Sequence, residues 1–294
     1  MNKLVELFCD VDDFCKVFIP EWEKQMLEDG TKKRQRKGQM QMSEIMTILI
    51  LFHMSHYRDF KNFYLGYVHQ FYRKEFPNLL SYTRFIEVMP KALVPICSYF
   101  TTLKGKPTGL EFIDSTSLSV CHNIRIPRHK TFKKSAKRGK STMGWFYGFK
   151  LHLIVNYKGE IVAAKVTAGN VHDTQPVQEL SQHLSGKLYG DKGYLSKALE
   201  SSLFEKGVQL ITTVRKNMKA KAMSLWDRAM LSKRFIIETI NDQLKNISQI
   251  EHSRHRSISG FMLNLMSGLV AYCLKDNKPS LNITDVEKNS MVKA

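Results

Sequence analysis

Acidic residues are in short supply. Aspartate and glutamate total 27 against 45 lysines and arginines, leaving a net charge of +18 over 294 residues. That deficit excludes an acidic metabolic enzyme and asks for a polyanionic partner, either nucleic acid or an anionic membrane surface. Cysteine is sparse too. Cys9, Cys15, Cys97, Cys121 and Cys273 include no C-x-x-C pair, which excludes a zinc ribbon and a dithiol redox motif. Their odd number and wide spacing read as small buried hydrophobes in a reducing compartment. Long apolar runs are missing. The densest, residues 47–54 (TILILFHM), falls well short of the roughly 18 residues that cross a bilayer. The opening MNKLVELFCDVDD carries acids where a signal peptide is basic, so secretion is not expected. The chain reads as cytoplasmic, with no membrane attachment. No internal repeat or low-complexity tract is visible. What is plentiful, 43% hydrophobic and 11% aromatic residues, suffices for a core and excludes a disordered basic tail. Nucleic acid is the partner left.

The positive charge is unevenly placed. Residues 1–30 hold eight acids against three lysines. Lys32, Lys33, Arg34, Arg36 and Lys37 then form a basic arm or linker, with a plain solvated loop as the alternative. Between 122 and 150 stand Arg125, Arg128, Lys130, Lys133, Lys134, Lys137, Arg138, Lys140 and Lys150, with no acid among them. Such a stretch repels itself and reads as a phosphate-contacting loop. Arg215, Lys216, Lys219 and Lys221 make a third cluster.

Residues 1–104 read as helical, with apolar-faced segments at 42–53, 60–75 and 82–91. Their sizes and short joints suit a helix-turn-helix layer for DNA ends, or else a structural helical cap. After Gly105-Lys106-Pro107 the texture changes to strands at 109–120, 147–156, 161–167, 187–190 and 208–214. Helices are expected at 172–184, 196–206 and 261–274, with one long helix or a helix pair at 224–250. A hairpin mixed with crossover helices gives an α/β fold, a mixed sheet flanked by helices over 105–275. The polar tail 276–294 is expected to fray.

Three carboxylates are out of place. Asp114 interrupts the apolar strand Phe-Ile-Asp-Ser-Thr, where an ionised group needs a partner or a metal. Asp191 ends the strand Leu-Tyr-Gly-Asp between two glycines. Glu238 shares a helical stripe of about 60° with Arg234, Asn241 and Lys245, beside an apolar face of Ile236, Ile237, Ile240, Leu244 and Ile247. Each alone has a bland reading: Asp191 as a turn residue, Glu238 as the i,i+4 partner of Arg234, Asp114 as a paired strand acid. Together they can meet at one point and hold hard divalent cations, Mg²⁺ or Mn²⁺. Two such ions activate an attacking oxygen and stabilise a leaving one in phosphoryl displacement, with nearby cations holding the anionic transition state.

At these residues the chain resembles bacterial insertion-sequence transposases of the DDE class over roughly residues 1–275, nearest to insertion-sequence family 982. The resemblance implies a ribonuclease-H-like catalytic domain with Asp114, Asp191 and Glu238 as its catalytic and metal-binding triad, spaced by 77 and 47 residues. Related enzymes carry Tyr-x2-Arg-x3-Glu-x6-Lys around the third acid. Arg234, Glu238 and Lys245 match its last three members, while Leu231 stands where the Tyr would be. By resemblance Arg234 and Lys245 contact DNA near the element's end; the missing Tyr removes one phosphate contact. The segments 143–152, 169–173 and 251–256 also resemble the family. Arg254 and Arg256 suit backbone phosphates. Lys150 and His152 alternate on a strand, facing either the site or the structure. Asp173 opens a helix, where Asp is routine. Trp145 is a core residue or a stacking platform for an unpaired base.

Three functions follow. A transposase would bind inverted-repeat ends as double-stranded DNA, cut them, and join the freed 3′-hydroxyl to target DNA, working as a homodimer that brings two ends together. A stand-alone ribonuclease-H-like nuclease or resolvase would cut without joining. A catalytically inactive relative would only bind DNA.

Overall fold

The structure is a computed structural model that describes residues 3–31, 38–142, 144–213, 223–251 and 255–283. Along the chain run α1 (Lys3–Glu28), α2 (Met42–Met54), α3 (Phe60–Phe63), α4 (His69–Phe71), α5 (Tyr82–Val88) and α6 (Leu93–Thr102). Then come β1 (Leu110–Cys121), β2 (Lys137–Ser141), β3 (Gly144–Asn156), β4 (Ile161–Ala168), α7 (Val177–Leu180), β5 (Gly186–Gly190), α8 (Lys197–Phe204) and β6 (Val208–Thr212). Helices α9 (Leu225–Ser232), α10 (Phe235–Asp242) and α11 (Ile258–Cys273) follow. The basic cluster at 32–37 and that at 215–221 lie outside the described residues, as does Arg254.

The elements form two compact units. One joins Met1–Leu103 to Leu244–Leu274; the other joins Lys104–Gln243 to Lys275–Ala294. The first unit is helical. Helix α2 starts where Gln41 and Glu44 satisfy each other's backbone donors in a capping box, and most of its residues are buried. An aromatic cluster of Phe52, Phe60, Phe63, Tyr64 and Phe85 packs beside it. The single helix expected at 60–75 is broken by a π turn, Tyr64–Val68. The helix expected at 82–91 stops at Val88, because Pro90 opens a 3₁₀ turn, Met89–Ala92. Helix α11 is apolar almost all round, and it packs on α2 and α6.

The second unit is the mixed sheet flanked by helices that the sequence indicates, in ribonuclease-H-like order. Strand β1 lies between antiparallel β3 and parallel β5, and β6 continues the sheet parallel to β5. The far edge of β3 is shared by β2 and β4, both antiparallel. Ile113, Ile154 and Leu188 from the strands meet Val177, Leu180, Leu199 and Leu203 from α7 and α8 in one core. The stretch 122–150 is folded rather than a bare loop. It holds a 3₁₀ turn, Asn123–Arg128, and strand β2, anchored by buried Phe132 stacked on His129 and edge-on to Phe149. The start of the described tail is also tied down: the Leu281 backbone N–H donates to the Tyr157 carbonyl at 2.8 Å. This is feasible because Gly159, at φ +76°, has no Cβ to collide with the Pro279 carbonyl.

The expected helix at 172–184 is reduced to the one turn of α7. Pro176 caps it, and the residue before a proline is driven out of the helical region. Asp173 is thereby left outside any helix, free to make the contacts described below.

Candidate active site

Strand β1 is buried from Leu110 to Ile113 and first leaves the core at Asp114. Its parallel partner β5 pairs with it only over Leu110–Phe112, ending at Phe112 opposite Tyr189. Asp114 and Asp191 each lie two residues beyond that pair, where the parallel pairing of the two strands ends. Asp191 follows the carboxyl end of β5, the kind of edge where open α/β sheets place ligands, whereas Asp114 lies inside β1, which runs on to Cys121 against β3. Asp191 is fixed in a tight turn, its Oδ1 accepting from the Gly193 backbone N–H at 2.7 Å. Tyr194 is buried behind them. Burial first, then the charges of Asp114, Asp173 and Asp191, push its phenol far above the ordinary range.

Helix α10 packs on β1 through Ile236, Ile237 and Ile240, all buried. Its polar stripe reaches the two acids. The Asn241 Nδ2 donates to Asp114 Oδ2 at 3.1 Å. Arg234 Nη2 donates to Glu238 Oε1 at 2.6 Å, and Nη1 of the same guanidinium is 3.9 Å from Asp114 Oδ1. One cation therefore joins the first and third acids. Burial raises the Asp114 pKa to about 6; Arg234 opposes the rise, while the charges of Asp191 and Glu238 add to it. Glu238 itself is 54% exposed. Sequence reasoning placed Asn241 on the stripe but gave it no role; its contact with Asp114 spans 127 residues.

The chain changes from α to π geometry at Gln243, and Lys245 belongs to the helical unit, ion-paired with Glu251 at 2.9 Å. Lys150 is half-buried, its ammonium held by Asp173 Oδ1 at 2.9 Å and the Val171 carbonyl at 3.0 Å. Asp173 also accepts from the Ser115 hydroxyl at 2.8 Å, next to Asp114. Asp173 is therefore no helix opener but a tether between β1, β3 and the following turns. Replacing it with Ala is expected to cost about 2 kcal/mol in urea unfolding, since it strands a half-buried ammonium; an unchanged midpoint would mean that Lys150 finds solvent freely. His152 is fully buried against Thr167, at 2.8 Å, and burial holds its pKa near about 4. Arg125, Arg128, Lys133, Lys134, Lys137, Arg138 and Lys140 are all exposed. Trp145, more ordinarily a core residue, is 52% exposed on the β2–β3 hairpin, with the Arg138 guanidinium 4.8 Å above its ring.

Among the described residues no group of three or more His, Cys, Asp or Glu is set as metal ligands. The donor chemistry nonetheless fits a hard divalent cation. Asp114, Asp191 and Glu238 offer oxygen only, and the charges of Asp191 and Glu238 make Asp114 harder to ionise, a repulsion that a cation relieves.

Residues 104–258 match the family model described as a transposase DDE domain, slightly more than half of the chain. The chain belongs to the DDE transposase family. None of the curated proteins matches the sequence. Membership makes this transposase an enzyme of polynucleotidyl-transferase or endonuclease type, from a family that binds DNA and generally uses divalent metal ions. No helix among the described residues is long and apolar enough to cross a membrane.

Proposed function

We propose that this transposase binds the inverted-repeat ends of its element and catalyses metal-dependent cleavage and strand transfer by in-line phosphoryl transfer. Within the family we place it nearest to insertion-sequence family 982, acting in the bacterial cytoplasm as a homodimer that pairs two ends. The observation that carries the reading is the meeting of Asp114 with Asn241 and with the Arg234–Glu238 pair, beside the edge from which Asp191 emerges.

Asp114, Asp191 and Glu238 would hold two Mg²⁺ or Mn²⁺ ions. The chemistry these supply when bound is activation of the attacking oxygen and stabilisation of the leaving one. The protein's own residues do the rest. Asn241 fixes one oxygen of Asp114 and so aims the other toward Arg234. Arg234 balances the carboxylates before DNA arrives and offers its guanidinium to a phosphodiester afterwards. The exposed cations Arg125, Arg128, Lys133, Lys134, Lys137, Arg138 and Lys140 grip backbone phosphates, with Lys150, Lys245, Arg254 and Arg256 in the same DNA-binding set.

The test uses the full chain, a duplex carrying the repeats that flank its coding sequence, a pre-cut duplex with a free 3′-hydroxyl, and Mg²⁺ or Mn²⁺. Cleavage together with joined products is expected. Cleavage without joining would assign a stand-alone nuclease, and duplex binding without either product an inactive relative.

A further inference from the structure

We propose that the helical unit carries a pocket for one unpaired nucleobase of a DNA strand, separate from the carboxylate site. The proposal rests on the reading that the chain handles DNA. A cavity of about 840 Å³ opens between α2, α3, α5 and the start of α11, within the size range of small-molecule sites. Phe52, Phe60 and Tyr82 line it, the first two with ring centroids 5.3 Å apart and nearly perpendicular. Aromatic walls offer a flat ligand a stacking face.

His53 also lines the cavity and is itself almost fully buried. Its Nδ1 lies 2.6 Å from the Ser248 carbonyl, which can only accept, so Nδ1 carries the proton. Burial holds the ring neutral, with a pKa of about 4. Nε2 is therefore a bare acceptor, and it has no partner among the described residues. An acceptor on a ring that lines an aromatic cavity suits a planar ligand that bears N–H donors on its edge. Every nucleobase with a free Watson–Crick edge is such a ligand, whereas an aliphatic chain would leave Nε2 unpaired at a cost.

The mouth supplies the phosphate half. Arg58, Lys61 and Arg256 line it, and none is ion-paired among the described residues. The two acids at the mouth are already engaged. Asp59 caps α3 through the Lys61 and Asn62 backbone N–H groups, and Glu87 pairs with Arg84 at 2.7 Å. A neutral aromatic interior behind a cationic rim matches a base with its own phosphate.

The experiment titrates the full chain into a single-stranded oligonucleotide bearing one 2-aminopurine, a blunt duplex and free dAMP. Fluorescence reports stacking and anisotropy reports affinity. Ile86 lines the cavity and is only half-buried, so Ile86→Trp fills the pocket from its edge. Tyr82→Leu removes one wall. Both variants are expected to bind the single strand about tenfold more weakly, with blunt-duplex affinity within about twofold of the parent and a cooperative melt retained. Unchanged single-strand affinity in both folded variants would overturn the pocket. So would binding of dAMP without binding of the strand. Loss of duplex and single-strand binding alike in the parent would instead remove the DNA reading on which the pocket rests.

Discussion

Asp114→Asn is expected to lose DNA cleavage by about a thousandfold or more while melting higher than the parent. The two effects share one cause. Asp114 sits where β1 leaves the core, and burial together with the neighbouring acids raises its pKa from 3.8 to about 6. A raised carboxyl pKa means that the native state holds the proton more tightly than the unfolded chain. In the metal-free protein, stability therefore falls as pH rises between about 4 and about 6, and stays lower above that window. Asparagine cannot ionise, and its side-chain oxygen can still accept from Asn241. Each tenfold difference in proton affinity between the native and unfolded states is worth about 1.4 kcal/mol. The substitution should thus gain up to about 3 kcal/mol at pH 7.5 and nothing near pH 4. Urea unfolding in chelator at the two pH values measures the gain, and the cleavage assay with Mn²⁺ measures the loss. A variant that still cuts removes Asp114 from the triad. One that is less stable at pH 7.5 contradicts the account of its burial. Inactivity with greater stability is also an outcome that misfolding cannot imitate.

Asp227→Ala should act in the opposite sense, costing about 3–5 kcal/mol of stability. Asp227 is buried in the first turn of α9, capped by Ser224. Its Oδ1 accepts from the Lys187 ammonium at 2.9 Å and from the Tyr189 hydroxyl at 2.8 Å, and its Oδ2 accepts from the Ser224 hydroxyl at 2.7 Å. Burial would raise this carboxyl, but bonds from Lys187, Ser224 and Tyr189 outweigh it and hold the pKa below 3.8. The contribution is present above about pH 4 and is lost as pH falls through the lowered pKa. Alanine leaves the part-buried Lys187 charge and the buried Tyr189 hydroxyl without their shared acceptor. Both belong to β5, the strand that delivers Asp191, so cleavage should weaken in parallel. Asp227→Asn keeps an acceptor and should lose roughly half as much. Thermal and urea unfolding of the two variants decide the matter; an alanine variant within about 1 kcal/mol of the parent would show that α9 does not depend on this anchor.

Strand positions were legible in the sequence because their apolar runs end at Gly, Pro and Asp. The expected 109–120 and 161–167 compare with β1 at Leu110–Cys121 and β4 at Ile161–Ala168. Strand β2 was not legible. Its residues Lys137 to Ser141 have no apolar alternation, and what holds them is ladder pairing with β3, a long-range fact. Asp173 was misread for a local reason: an Asp near a stretch of helix formers looks like a helix opener, and only the fold brings Ser115 and Lys150 to it. For the site, misplaced acids are a strong signal because burying charge is costly. Asn241 gives no such signal, since an amide on a helix is ordinary until its partner is known.

The helical unit is sewn from two pieces of chain, residues 1–103 and 244–274, with most of the sheet unit's sequence between them. On the ribosome its first six helices emerge early, but the apolar faces of α2 and α6 that α11 covers must wait for residue 273. By then the sheet has left the exit tunnel. The unit that begins the protein is thus among the last parts to finish folding, and a fragment ending near residue 104 is born without its final wall.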